Sequence, residues 1–290
     1  MDHHALSLHD KLTAARAQLV SAGIAPAEAA VDVPLFACTI LGWDRARLLS
    51  QQSQPAPPSL EPQFSQWIAR RMAHEPAAYI VGHREFWGLD FVVTPAVLIP
   101  RPESELLVEE AIEIVREAQM PSPEIADIGT GSGNLAISLA HTLQTSHVTA
   151  TDVSRDALAI AQQNARTHEV DDRIIFVEAT YLDGIERDFD VIVANPPYVK
   201  SGDKTSLSLA VLHEPDVALF SGDQGLIAVE GVLDAAVGWL KAGGWLLMEF
   251  GFGQSDDVAQ LVSARHALRL DRVRDDLQGI PRTAIIQREG

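Results

Sequence analysis

The sequence predicts an α/β protein, a doubly wound and mostly parallel sheet preceded by a small all-helical domain and a β-hairpin connector. Three observations predict it. From about residue 103 onward, runs of helical period alternate with short apolar, β-branched runs, the pattern of a parallel sheet covered on both faces. Up to about residue 75 apolar residues recur only at helical spacing, and between about 79 and 99 the period becomes that of strands. The expected division is therefore 1–75 for the helical domain, 76–98 for the connector and 99–290 for the α/β domain.

In the helical part, Leu8, Leu12, Ala15 and Leu19 form one stripe, and Ala29, Val33, Phe36 and Ile40 form another after Pro26, which suits a first turn. The stretch Gln51–Ser59, "QQSQPAPPS", is too proline-rich for helix or strand and reads as a connector. Ser59 is expected to cap the next helix, which carries Phe64, Trp67, Ile68 and Met72 with Pro62 near its start. A hairpin is expected around Gly88 and Pro95. Helices then follow at about 103–117, 132–143, 155–166, 223–240 and 255–264. Strands are expected at about 124–128, 147–151, 173–177, 189–194, 243–250, 268–274 and 282–287.

Composition narrows the function. A chain of 290 residues with 47% hydrophobic content can bury one large core or two modest ones. Its formal charge of −18, from 40 acidic and 22 basic residues, disfavours unspecific attraction to a nucleic-acid backbone. Arg70, Arg71, His74, His83, Arg84 and Arg101 fall close together but read as ordinary surface charge. The one cysteine, Cys38, lies in an apolar run and is expected to be a buried thiol outside any disulfide. The opening "MDHHALSLHDKL" lacks the basic-then-apolar order of a secretory signal, and no apolar run approaches the roughly 20 residues of a membrane span. A cytoplasmic protein is expected.

The chemistry lies at strand ends. "IADIGTGSGNLAISLA" places Asp127, Gly129, Gly131 and Gly133 between a strand and a helix, where glycines allow a tight turn and a helix N-terminus offers free N–H groups. A dinucleotide fingerprint would place a third glycine at Asn134; reading Gly131, Gly133 and Ala136 instead keeps a dehydrogenase open. Asp152, about 20 residues on, suits a ribose contact or the N-cap of the next helix.

"DVIVANPPYV", Asp190–Val199, breaks off in Asn195, Pro196, Pro197 and Tyr198. Proline cannot donate to the ladder, so the strand ends there. The Asn195 side-chain carbonyl and the Pro196 carbonyl can accept from one NH2 group, the rings hold them at fixed separation, and Tyr198 offers a flat face for a planar amide or base. Such a nitrogen is a poor nucleophile and needs a strong electrophile in line. The sulfonium methyl of S-adenosylmethionine suits that role, and no metal is required.

The order glycine loop, acidic strand end and NPPY resembles the class I, Rossmann-like S-adenosylmethionine-dependent methyltransferases that modify exocyclic or amide nitrogens. Several stretches resemble one branch, the HemK/PrmC family: Glu75–Glu109, "DIGTGSG", Thr151–Ala165, "VANPPYV", His213–Leu226 and Asp276–Arg282. The resemblance covers roughly 70–290 and implies methylation of the glutamine amide nitrogen in the Gly-Gly-Gln motif of peptide chain release factors. It implies that Gly129, Thr130, Gly131, Ser132 and Gly133 line the cofactor, that Asp152 holds its ribose, and that Asn195, Pro196, Pro197 and Tyr198 receive the amide. Ile99–Glu103 would lie near the active site, with Arg101 in substrate binding. Two stretches depart from the family's wording. "EATYL" has Thr180 and Tyr181 where an Asp is usual, leaving Tyr181 to cover the adenine, and "MEFGFGQ", Met248–Gln254, replaces a more usual "LEIG". Rival readings are a glutamine methyltransferase acting on a ribosomal protein, a DNA adenine methyltransferase, which would need a basic DNA-binding face, and a non-catalytic binding module.

Overall fold

The structure, a computed structural model, describes residues 6–290, so the first residues of the "MDHHALSLHDKL" stretch lie outside the described residues. The chain divides into two compact units, one of residues up to Gly82 with Ser208–His213, the other of His83–Leu207 with Glu214–Gly290.

The first unit holds α1 (Leu8–Ser21), α2 (Pro26–Leu41), α3 (Arg45–Ser50), α4 (Gln63–Met72) and α5 (Ala77–Val81). Ser7 caps α1 through the Asp10 amide at 3.1 Å, Pro26 opens α2, and Gly42, at φ 62°, closes it. The expected stripes meet in one core of Leu8, Leu12, Leu19, Val33, Phe36 and Ile68, where burying a side chain such as Phe36 is worth roughly 1.5–3 kcal/mol. Arg71 of α4 is buried against Asp32 at 2.7 Å and Glu28 at 2.6 Å of α2. Four expectations need correction. Arg71, read with its neighbours as surface charge, is 3% exposed in these ion pairs. Ser59 lies in a short 3-10 turn, Pro58–Leu60, and α4 starts at Gln63 with no side-chain cap. Cys38 is half-buried, a free thiol flanking the core. Residues 79–81 are helical, because Pro76 leads into α5 and Gly82, at φ 86°, stops it; Ile80 joins this core, so the helical unit runs to Gly82, past the boundary expected at 75.

The second unit begins with the hairpin β1 (His83–Phe86) and β2 (Leu89–Val92). Its two-residue turn, Trp87 at φ 55° and Gly88 at φ 72°, has both residues left-handed, as a hairpin matching strand twist requires. Then come α6 (Glu105–Glu117), β3 (Glu124–Ile128), α7 (Asn134–Thr142), β4 (His147–Asp152), α8 (Arg155–Thr167), β5 (Ile174–Glu178) and β6 (Phe189–Ala194). The remainder is α9 (Asp216–Leu219), α10 (Ile227–Trp239), β7 (Leu240–Glu249), α11 (Ser255–Ser263), β8 (Leu268–Asp275) and β9 (Pro281–Arg288). The sheet order is β5-β4-β3-β6-β7-β9-β8, with β3 to β7 parallel and β9 antiparallel to both neighbours. Separate cores cover its two faces: Leu107, Val115 and Leu139 belong to one, Val232, Leu233 and Val258 to the other.

The chain runs outward from β3 through β4 to β5, returns to place β6 on the other side of β3, and so makes the β3/β6 pair the switch point of the sheet. Ligands of open α/β sheets bind beyond the carboxyl ends of the strands at that point.

Candidate active site at the switch point

At the end of β3 the chain turns through Gly129 (φ 73°), Gly131 (φ 55°) and Gly133 (φ 82°), all left-handed. The amides of Gly129 and Thr130 both donate to the Thr151 carbonyl of β4, at 2.9 and 2.8 Å, tying the loop to the neighbouring strand. A Cβ on Gly129 would meet nothing within 4 Å, so the loop presents bare backbone to open space. Gly133 has a different role. A Cβ there would lie 2.8 Å from Ile137 and 3.1 Å from Ala161, so this glycine lets α7 and α8 pack. Beneath the loop the fully buried Asp127 accepts from Thr130 Oγ1 at 2.7 Å and the Ala136 amide at 3.1 Å. Burial lifts its carboxyl to about 7.

Asp152, at the end of β4, accepts from the Gly131 amide at 3.0 Å and the Ser154 amide at 2.8 Å. It is not the N-cap of α8: that position belongs to Ser154, whose hydroxyl accepts from the Ala157 amide at 3.2 Å. Burial outweighs the backbone donors and lifts the Asp152 carboxyl above its usual range.

Asn195 follows directly on β6 and shares with this loop a cavity of about 230 Å³. Of the expected site residues, Gly129, Gly131, Asp152, Tyr181, Asn195, Pro196 and Pro197 line it. Thr130, Ser132 and Arg101 line a smaller adjoining cavity of about 30 Å³, reached by Gly131 and Asn195 as well. Gly133 and Tyr198 line neither of these two. Tyr181 sits at φ 52°, with its carbonyl accepting from Thr151 Oγ1 at 2.7 Å, and its ring fills a notch on α10 that Gly231 leaves open. Arg101 pairs with the buried Glu214 at 2.5 Å, and Glu214 also accepts from the Ile99 amide at 3.0 Å, so the proline-flanked segment is anchored.

Sequence reasoning missed the polar residues behind this motif. Asn195 Nδ2 donates to Ser104 Oγ at 2.8 Å, and Ser104 Oγ donates to Glu249 Oε2 at 2.6 Å. Tyr198 donates its hydroxyl to Glu249 Oε1 at 3.2 Å, and its carbonyl accepts from Gln254 Nε2, also at 3.2 Å. Burial, reinforced by Glu249, pushes the Tyr198 phenol far above its usual range, so it stays a neutral donor. The available signal was Glu249 and Gln254 closing the apolar run "WLLMEFGFGQ", and Ser104 beside Arg101.

The residues fit a nucleoside-bearing cofactor. Bare glycine backbone, a carboxylate that accepts from backbone amides alone and keeps further acceptor capacity, and apolar walls from Val153, Ala157 and Val232 face one space.

Comparison with known proteins agrees. Residues 103–248 match the family model described as "Methyltransferase small domain", and residues 10–82 match "PrmC N-terminal domain". A release factor glutamine methyltransferase of Bradyrhizobium diazoefficiens is 40% identical over 88% of this chain and 86% of its own length. One of Deinococcus radiodurans is 34% identical over 98% of this chain and all of its own. A methyltransferase structure from Pyrococcus furiosus, 19% identical, superposes at a TM-score of 0.52 over 78% of this chain and 99% of its own, a likeness of fold. The chain belongs to the release factor glutamine methyltransferases, a family of S-adenosylmethionine-dependent enzymes.

Proposed function

We propose that the chain transfers a methyl group from S-adenosylmethionine to the side-chain amide nitrogen, N5, of the glutamine in the Gly-Gly-Gln motif of peptide chain release factors. The observation that carries this reading is Asn195 on the same cavity as Gly129, Gly131 and Asp152. The names of the relatives support the substrate.

When bound, S-adenosylmethionine supplies an electrophilic methyl on a sulfonium. Gly129, Thr130, Gly131, Ser132 and Gly133 form the turn that receives the cofactor, Asp152 accepts from the ribose hydroxyls, and Tyr181 covers the adenine. Asn195 Oδ1 and the Pro196 carbonyl accept from the incoming NH2, with Pro197 and Tyr198 completing the grip and Arg101 bordering the substrate. Acceptors on both hydrogens favour the pyramidal, charge-developing nitrogen of the transition state over the flat ground state. The helical unit docks the protein substrate, because a three-residue motif cannot distinguish one factor from other proteins. The net charge of −18 supports a protein partner over a nucleic acid, and a cytoplasmic location suits a translation factor as substrate. No described helix is long and apolar enough to cross a membrane.

The test is label transfer from S-adenosylmethionine to a purified release factor, beside the same factor with the motif glutamine changed to alanine. Label on the first alone is expected. Equal label on both, or none on either with cofactor bound, refutes the assignment.

A further inference from the structure

Asparagine is a two-ended side chain. Its carbonyl oxygen accepts and its NH2 donates, and a half-turn about the last bond exchanges them with almost no change of shape. Gripping a substrate NH2 needs the oxygen to face the substrate. Something must therefore forbid the other orientation of Asn195.

We infer that Glu249, acting through Ser104, is the positioning residue that orients Asn195 toward the amide substrate; this rests on the proposed role of Asn195. Glu249 closes β7 and is 2% exposed, and Ser104, just before α6, is 1% exposed. An ionised carboxylate only accepts. The single Ser104 proton is accordingly spent on Glu249 Oε2 at 2.6 Å, leaving that hydroxyl only lone pairs to offer. Asn195 must answer with its NH2, at 2.8 Å, which turns Oδ1 the other way. The second carboxylate oxygen does the same for Tyr198, accepting its hydroxyl at 3.2 Å. One buried carboxylate thus sets the direction of the side-chain hydrogen bonds from Asn195, Ser104 and Tyr198, and it lines neither of the two cavities at this site. Burial outweighs the Ser104 and Tyr198 hydrogen bonds and the nearby Arg282 and, with repulsion from Glu103, lifts the Glu249 carboxyl above its usual range, so it is the ionised form that sets the direction of this chain.

Glutamine at 249 keeps the shape but can donate as well as accept, so it allows the reversed chain in which Ser104 donates to Asn195 Oδ1 and the NH2 faces the substrate. Glu249→Gln is expected to lower kcat about 30-fold, the scale of losing a charge-assisted hydrogen bond, with cofactor affinity within about twofold. Ser104→Ala should lower kcat through the same chain, so the double variant should be no slower than the slower single one, whereas independent structural effects would multiply. Ser104→Thr, which retains the hydroxyl, should restore most of the rate if Glu249→Gln folds poorly.

A readout independent of turnover is available because the chain has only three asparagines, Asn134, Asn164 and Asn195. In full-length protein labelled with 15N-asparagine, the side-chain NH2 pair that vanishes in Asn195→Ala is that of Asn195. It should exchange slowly in wild type and lose that protection in Glu249→Gln and Ser104→Ala. Wild-type kcat in Glu249→Gln, multiplying losses in the double variant, or unchanged Asn195 signals would overturn the inference. If the wild-type enzyme labels no release factor, the proposed reaction fails, while the NMR signals still report on the tether.

Discussion

Replacing Gly231 by alanine separates the stability of α10 from the shape of the cavity. A Cβ at 231 would lie 2.0 Å from Tyr181 Cζ, 2.2 Å from its hydroxyl and 2.4 Å from Cε2, all far inside contact distance. The clash falls on the tip of a side chain, so the ring can leave its notch while the backbone of α10 stays. Alanine inside a helix is favoured over glycine by about 1 kcal/mol, which offsets much of the strain of moving the ring. Tyr181 has little freedom to follow with its backbone, since it already sits at φ 52° with its carbonyl held by Thr151. If the ring covers the adenine, its displacement forfeits an aromatic contact of about 0.5–1.5 kcal/mol, or roughly a 2- to 12-fold rise in the cofactor dissociation constant. Titration calorimetry with S-adenosylhomocysteine beside thermal unfolding checks both halves. Tyr181→Leu should produce a similar loss, and Gly231→Ala should add little to it. Unchanged affinity in Gly231→Ala, or a loss that adds fully to that of Tyr181→Leu, refutes the reasoning.

Other consequences are equally direct. Gly133→Ala combines a left-handed backbone at φ 82° with a 2.8 Å approach to Ile137, so unfolding should be easier by about 2–4 kcal/mol in denaturant melts. Asn195→Ala should leave cofactor binding largely intact while lowering kcat about 100- to 1,000-fold, as for removal of one transition-state hydrogen-bonding group; surviving turnover would contradict the amide grip. Asp127 in the unfolded chain loses its proton near 3.8 and in the folded one near 7, so the folded state holds the extra proton between them. Its contribution to stability is therefore full below about pH 4 and declines as pH rises toward 7, by at most ~1.4 kcal/mol per unit. Asp127→Asn should remove that slope from the pH dependence of the ligand-free enzyme, as read by denaturant melts between pH 4 and 7.

The parallel sheet was legible because its buried strands read as unbroken apolar runs, and Asn195 was legible because two prolines end such a run abruptly. The glycine loop and Asp152 declared themselves by spacing. What stayed hidden has physical causes. Ser104 and Glu249 are 145 residues apart, and a hydrogen bond of that span leaves no local period. The helix at Ala77–Val81 is too short to show a period of its own, and only its proline and glycine ends mark it. Gly133 looks like its two companions in sequence, yet the crowding of Ile137 and Ala161 gives it a packing role that only coordinates reveal. Ser154, two residues beyond Asp152, was overshadowed as a cap because an aspartate suits that place equally well.

The glycine loop and the NPPY segment leave the sheet from two strands that are hydrogen-bonded neighbours, Ile128 of β3 lying in register with Ala194 of β6. The distance between the roots of these two segments is thus inherited from the interstrand spacing, about 4.8 Å, a constant of the peptide backbone that no side-chain substitution retunes. Both strands are buried on both faces, so this spacing is among the stiffest in the molecule. The loops beyond these two strand ends are free to diversify, while the roots of the glycine loop and the NPPY segment keep the same gauge.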